Sequence, residues 1–228
     1  MQRFNEESWP APDMFFGLVL SLSSPERDQF HVAVFFRDGV GAALMYGDLQ
    51  WHLRARCSEA VAQDRYIWVC PRLDEFDQIL LASKAKIWLE NNPDAIPYSV
   101  SHPVGGVMFR DDKWVGDAPG MGLTCATFVV ALFDELGIPF IDSSSWQERD
   151  GDEEWKKEIL TYLSNYPGVT PEHVEAQMSS LGDTVRIRPS DVFAAGRCLT
   201  GSEAHPGLCF ELVSGESVEV ENLLRSLP

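Results

Sequence analysis

Basic residues are scarce in this chain. The 228 residues include 18 lysines and arginines against 35 aspartates and glutamates, which gives a formal net charge of −17 at pH 7. Binding to nucleic acid or to an anionic membrane surface requires clustered positive charge, and long-range repulsion opposes it here. We therefore expect no nucleic-acid partner. The charge itself favours solubility, and it also suits a basic protein partner.

Long apolar runs are missing as well. The sequence has no window of about 18 uncharged apolar residues, so we expect no membrane span. The segment from Met1 to Pro10 lacks the basic-then-apolar order of a signal peptide. These two absences favour a cytoplasmic location.

The sequence also lacks paired cysteines and clusters of metal-ligating residues. None of the five cysteines belongs to a C-x-x-C pair, and their number is odd. This pattern indicates neither a zinc cage nor a disulfide framework, and it fits a reducing compartment. We expect no metal and no cofactor. The cysteines are Cys57, Cys70, Cys125, Cys198 and Cys209.

The composition is that of a globular protein, with 45% apolar and 11% aromatic residues. The length favours one domain overall. We predict a core over residues 1–142 and a C-terminal helical extension over residues 143–228, packed on that core. In the extension we predict helices over 153–166, 172–181, 190–198 and 218–227, and a possible strand over 208–213.

The strongest local pattern lies around Cys125. A glycine-rich approach leads to Thr124, which suits a helix N-cap, and Gly137 suits the C-terminal stop. Between them, apolar side chains recur at helical spacing and predict one buried helix with Cys125 in its first turn. The stripe consists of Cys125, Phe128, Val129, Leu132, Phe133 and Leu136.

This position gives Cys125 two interpretations. Unpaired N–H groups and the helix dipole stabilise a thiolate at a helix start, which lowers the pKa of the thiol and activates it as a nucleophile. Cysteine is also among the most buried residue types, so a cysteine on an apolar stripe is commonly part of the core. A nearby histidine base would favour the first interpretation.

His31 is the candidate base. Residues 29–36 are rich in β-branched and aromatic side chains and predict a strand, with His31 near its start. A turn at residues 37–39 is followed by a returning strand over 40–46. Of the other histidines, His173 is predicted on the surface and His102 and His205 in loops.

The stretches His-Val-Ala-Val-Phe-Phe-Arg-Asp-Gly and Thr-Cys-Ala-Thr-Phe-Val together resemble the permuted NlpC-type papain-like hydrolases. That branch includes the lecithin:retinol acyltransferase group. In its members a histidine opens a strand, an aspartate-glycine turn follows, and a cysteine begins a later helix. The order of His31 before Cys125 matches, and the resemblance covers about residues 29–137.

Some positions depart from that pattern. The acyltransferase group carries a second, orienting histidine early in the returning strand, where Tyr46 stands nearest in this chain. His52 follows later, and it is a candidate either to orient His31 or to act as the base itself. Thr124 precedes the nucleophile where the acyltransferases have an asparagine.

The resemblance implies an α+β papain-like fold with a nucleophile-bearing helix against an antiparallel sheet, and it makes the core over residues 1–142 the catalytic part. It implies a thiol hydrolase in which Cys125 attacks an amide, isopeptide or thioester, with His31 and His52 as the other catalytic residues. Acyl transfer is an alternative outcome, and the substrate would be a peptide, a lipid or another acyl-bearing molecule. The competing interpretation is a non-catalytic binding protein on the same scaffold, with Cys125 in its core.

Overall fold

An antiparallel sheet forms the centre of the protein. The computed structural model describes residues 1–3, 8–101, 108–199 and 207–227. In these residues the sheet has six strands in the order β1-β6-β2-β3-β4-β5. They are β1 (Gln2–Arg3), β2 (Phe16–Ser24), β3 (Gln29–Phe36), β4 (Met45–Trp51), β5 (Arg54–Glu59) and β6 (Tyr66–Val69), and a separate hairpin contains β7 (Phe109–Arg110) and β8 (Lys113–Trp114).

The same residues form six α-helices, so the predicted α+β class with an antiparallel sheet is confirmed. None of the described helices is long and apolar enough to cross a bilayer. The helices are α1 (Glu75–Asn91), α2 (Cys125–Glu135), α3 (Asp152–Ser164), α4 (Pro171–Ser179), α5 (Pro189–Cys198) and α6 (Phe210–Arg225).

The two faces of the sheet carry different cores because side chains alternate along each strand. Val32, Val34 and Phe36 of β3 belong to the main core, which also contains apolar residues of α1, α2 and α5. Ala33 and Phe35 belong to a smaller cluster on the opposite face. The predicted strand over residues 29–36 is confirmed, and its alternation puts His31 on the same face as Ala33.

The C-terminal helices pack in two different places. Helix α5 packs against β2, β3 and α2 and contributes Val192 and Phe193 to the main core. Residues on both sides of the predicted boundary at 142 therefore share one apolar core. Helices α3 and α4 pack on each other, and α3 joins Tyr98 and Val100 in a third cluster.

Two predicted strands are wrong in position or type. Residues 210–213 belong to α6, because Val213, Ser217, Val220 and Leu224 continue one buried helical stripe through the segment. The returning strand β4 begins at Met45 rather than at residue 40. The reason lies at residues 39 and 41, two glycines with φ of +143° and +72°, which hold the intervening loop out of the sheet.

Candidate active site

Cys125 is the first residue of α2, and the local sequence explains why the helix begins there. The side chain of Thr124 accepts a hydrogen bond from the Thr127 N–H at 3.1 Å, and Thr127 Oγ1 accepts one from the Thr124 N–H at 2.8 Å. This reciprocal pair satisfies two N–H groups that the helix leaves unpaired. The predicted N-cap at Thr124 and the helical stop at Gly137 (φ +65°) are confirmed.

The sulfur of Cys125 lies where two neighbouring strands part. The ladder between β3 and β4 pairs Phe36 with Met45 and continues to Val34 opposite Gly47. Both strands run on beyond that point, and the N–H of Val32 donates a hydrogen bond to the Cys125 sulfur. The start of α2 thus meets the sheet where a strand N–H is available to the sulfur of Cys125.

His31 connects Cys125 to a carboxylate. Its imidazole hydrogen-bonds the sulfur of Cys125, and its Nε2 lies 2.8 Å from Oδ2 of Asp48. Since Nε2 is used by Asp48, Nδ1 is the ring nitrogen left to face the sulfur. The structure therefore brings a thiol, an imidazole and a carboxylate into one chain of hydrogen bonds.

Burial and neighbouring charges shift the pKa values of Cys125 and His31 in opposite directions. Burial disfavours the charged form of both Cys125 and His31, but each stabilises the other's charge. The interaction with His31 and the Val32 N–H leave the pKa of the Cys125 thiol below its ordinary value. Although burial opposes it, the charge of Cys125 and the hydrogen bonds to Asp48 and Cys125 raise the pKa of His31 to about 10. The lowered pKa of Cys125 and the raised pKa of His31 both favour a thiolate–imidazolium pair.

Asp48 is not among the residues that the sequence patterns indicate, because the resemblance points to a histidine as the orienting residue. If the β3–β4 register is continued, Asp48 lies opposite Ala33 and diagonal to His31, so both side chains are on one face of the sheet. Tyr46, the residue nearest the expected position, lies on the same face, with its hydroxyl 3.4 Å from Asp48 Oδ2. Tyr46, Asp48 and Gln50 alternate along β4, which indicates that their side chains share one face of the sheet. This pattern identifies Asp48 as the partner of His31 only once the register of the strands is known.

Asp48 is held in place by a third charge. Its side chain is 2% exposed, and Nε of Arg56 on β5 lies 3.3 Å from its other oxygen, Oδ1. The Arg56 guanidinium also lies over the ring of Tyr46, with its carbon 4.5 Å from the ring centroid. Asp48 thus stays close to a cation on one side and to His31 on the other.

His52 occupies a different environment. It is buried, its Nδ1 accepts a hydrogen bond from the Tyr98 N–H at 3.2 Å, and its ring lies 5.5 Å from that of His173. Burial and the neighbouring His173 lower its pKa to about 4, so the ring is neutral near pH 7. The structure therefore brings His31 to Cys125, whereas His52 contacts Tyr98, Tyr166 and His173.

His173 supports the segments that contain Tyr98 and Gly120. Its Nε2 donates to the Tyr98 carbonyl at 2.9 Å and its Nδ1 accepts from the Gly120 N–H at 3.2 Å. The predicted surface position of His173 is wrong, since the residue is 8% exposed. Its ring is covered by the segments that it contacts, which contain Tyr98, Gly120 and His52. His102 and His205 lie outside the described residues.

The opening beside Cys125 is narrow. A cavity of about 30 Å³ touches Cys125 and His31, and large side chains surround it. The rings of Trp51 and Tyr98 pack there at 35° to each other with centroids 4.4 Å apart, and Trp155 of α3 lines another side. Within the described part of the chain, no group of three His, Cys, Asp or Glu residues could hold a metal ion.

Comparison with known proteins adds no relative. No protein-family model matches this chain, and no curated protein or solved structure is significantly similar to it.

Proposed function

We propose that this protein is a thiol hydrolase that cleaves an amide, isopeptide or thioester bond through a covalent intermediate on Cys125. The observation that carries the proposal is the hydrogen-bonded series Cys125–His31–Asp48, in which Nε2 of His31 lies 2.8 Å from Asp48. Activated cysteine nucleophiles need a base within hydrogen-bond reach and a third group that orients the base. In this proposal His31 is the base, Asp48 orients it, and His52 has a structural role.

The reaction begins with the proton already on His31. The Cys125 thiolate attacks the carbonyl carbon of the substrate, and the N–H of Cys125 at the start of α2 stabilises the oxyanion. As the carbon–nitrogen or carbon–sulfur bond breaks, the His31 imidazolium gives its proton to the leaving group. This leaves an acyl-thioester on Cys125 and a neutral imidazole.

The second half of the cycle restores the ion pair. Water attacks the thioester and gives a proton to His31, the carbon–sulfur bond breaks, and the thiolate leaves next to the imidazolium. An acceptor hydroxyl or amine in place of water makes the same protein an acyltransferase, which remains an alternative. The order of His31 before Cys125 supports the proposed kinship with the permuted NlpC-type enzymes, and a reducing cytoplasmic location suits a free thiol nucleophile.

A non-catalytic binding protein is the second candidate. Its support is the narrow opening, because Cys125 is only 6% exposed and the cavity at its sulfur holds about 30 Å³. In that case the acidic surface would engage a basic partner and Cys125 would be a core residue.

Selective labelling separates the two candidates. The intact protein is treated at neutral pH with limiting iodoacetamide, and the modified cysteines are identified by peptide mass spectrometry. A thiolate at Cys125 predicts that this residue is labelled first, and that Cys125→Ala removes the fast phase. Labelling of Cys57 or Cys198 ahead of Cys125 contradicts the proposed hydrolase, because burial raises the pKa of both comparison thiols.

A further inference from the structure

A second, larger cavity lies on the other side of His31. It has a volume of about 410 Å³ and opens on the sheet face that carries Tyr46 and Tyr66. Gln29, His31 and Gln50 line both this cavity and the narrow opening at Cys125. A substrate whose carbonyl group reaches the sulfur therefore has room for an adjoining group in the larger cavity.

The charge of this cavity is opposite to that of the chain. Arg56 and Arg65 line it, and Asp48 is the one carboxylate among its described lining residues. Asp48 is only 2% exposed and already lies against His31 and Arg56. The cavity therefore presents net positive charge, although acidic residues outnumber basic ones by 35 to 18 in the whole sequence.

The polar groups of the cavity also suit an anion. Arg56 is held over the Tyr46 ring, yet its side chain remains 42% exposed. A guanidinium fixed in this way can bind a carboxylate with two parallel N–H donors. Gln29, Gln50 and Gln63 add side-chain amides.

We propose that this cavity is a substrate subsite that binds a carboxylate close to the scissile bond, with Arg56 as its main anchor. The proposed substrates are acyl compounds, including peptides, that carry a negative charge next to the reacting carbonyl. The inference rests on the proposed hydrolase function, because it assigns a specificity pocket to the same nucleophile.

The test uses two thiol-directed probes of equal length. N-bromoacetyl-β-alanine carries a carboxylate, and N-bromoacetyl-β-alaninamide is its neutral counterpart. In each case the Cys125 thiolate forms a sulfur–carbon bond and bromide leaves with the electrons of the carbon–bromine bond. The rate constant for Cys125 is measured by mass spectrometry with the full chain, at low and at high salt.

The subsite predicts that the carboxylate probe reacts about fivefold faster than the amide at low salt. Arg56→Gln should bring the ratio of the carboxylate rate constant to the amide rate constant to one or below. Arg56→Lys should restore part of this ratio. Gln63→Glu, at an exposed residue of the cavity lining, should also lower the ratio of the two rate constants by adding a negative charge. Arg54→Gln is the matched control, since Arg54 lies on the same strand and face but outside the cavity, and the ratio should persist.

Two contrary results are distinguishable. If both probes label Cys125 but the amide is equal or faster, as net repulsion by a chain of charge −17 predicts, the subsite is refuted and the hydrolase proposal stands. If neither probe labels Cys125 ahead of Cys57, the hydrolase proposal is refuted together with its subsite.

Discussion

His31 and Asp48 join two strands beyond the point where their backbone pairing stops. The last paired residues are Val34 and Gly47, yet the side-chain contact of 2.8 Å lies three residues before Val34 on β3 and one after Gly47 on β4. The carboxylate therefore holds the imidazole at the place where Cys125 enters. Loss of this contact should disturb the base without unfolding the sheet.

Asp48→Asn should lower activity by at least about tenfold, because the amide orients the ring less well and no longer stabilises the imidazolium. Turnover of a thioester or amide substrate measures the effect, and circular dichroism checks the fold. Asp38→Asn is the control, since Asp38 is an exposed carboxylate that pairs with Lys86. Equal activity in both variants would exclude Asp48 from the mechanism.

The pH profile of Cys125 alkylation tests the ion pair. The pKa of the Cys125 thiol is lowered, so its thiolate persists to lower pH than that of an ordinary thiol. The pKa of His31 is raised to about 10, so its imidazolium persists to higher pH, and both directions favour the ion pair. The midpoint of iodoacetamide reactivity should lie below the value of about 8.5 for a free thiol. His31→Ala should raise it.

Cys70 provides an internal reference for this profile, because burial raises the pKa of its thiol. Its labelling should begin only at alkaline pH. An ordinary thiol profile at Cys125 that His31→Ala leaves unchanged would support the binding-protein interpretation.

His52 should affect stability in acid rather than catalysis. Its pKa is about 4 in the folded protein and 6.5 in an exposed histidine, so between these values the unfolded chain binds a proton that the folded chain does not. The free energy of unfolding should fall as the pH drops from 6.5 to 4, and His52→Asn should make this fall shallower. Urea unfolding at several pH values measures the slope.

The same variant separates the two roles considered for His52. If His52→Asn shifts the reactivity midpoint of Cys125 as far as His31→Ala does, then His52 takes part in activating the thiol. We expect the midpoint to stay where it is, since the described contacts of His52 are with Tyr98, Tyr166 and His173.

Gly122→Ala should displace the loop before the nucleophile. A methyl group at this position would lie 2.3 Å from the Pro97 carbonyl oxygen, and the adjacent Leu123 N–H donates to that oxygen at 2.9 Å. The overlap should destabilise the protein by about 1–3 kcal/mol and slow the labelling of Cys125. Gly182→Ala is the control because its added methyl group meets nothing within 4 Å. Equal labelling rates would show that the loop does not position Cys125.

Local sequence patterns predicted the two elements that carry Cys125 and His31. The helix was recognisable because its cap, its apolar stripe and its terminal glycine lie within residues 124–137. The strand was recognisable because β-branched and aromatic side chains are concentrated within residues 29–36. The segment 208–213 failed because six apolar-rich residues fit a strand and one face of a helix equally well. Only the packing of the longer stripe of α6 decided between them.

The sequence by itself determined where a thiol would meet a helix start and which strand would carry a histidine, since both depend on neighbours a few residues apart. Tertiary structure decided that Asp48 hydrogen-bonds His31 and that His52 contacts Tyr98 and His173. The physical reason is register. The loop between β3 and β4 sets which residues face each other across the strands, and a shift by one residue would turn Asp48 to the opposite face of the sheet.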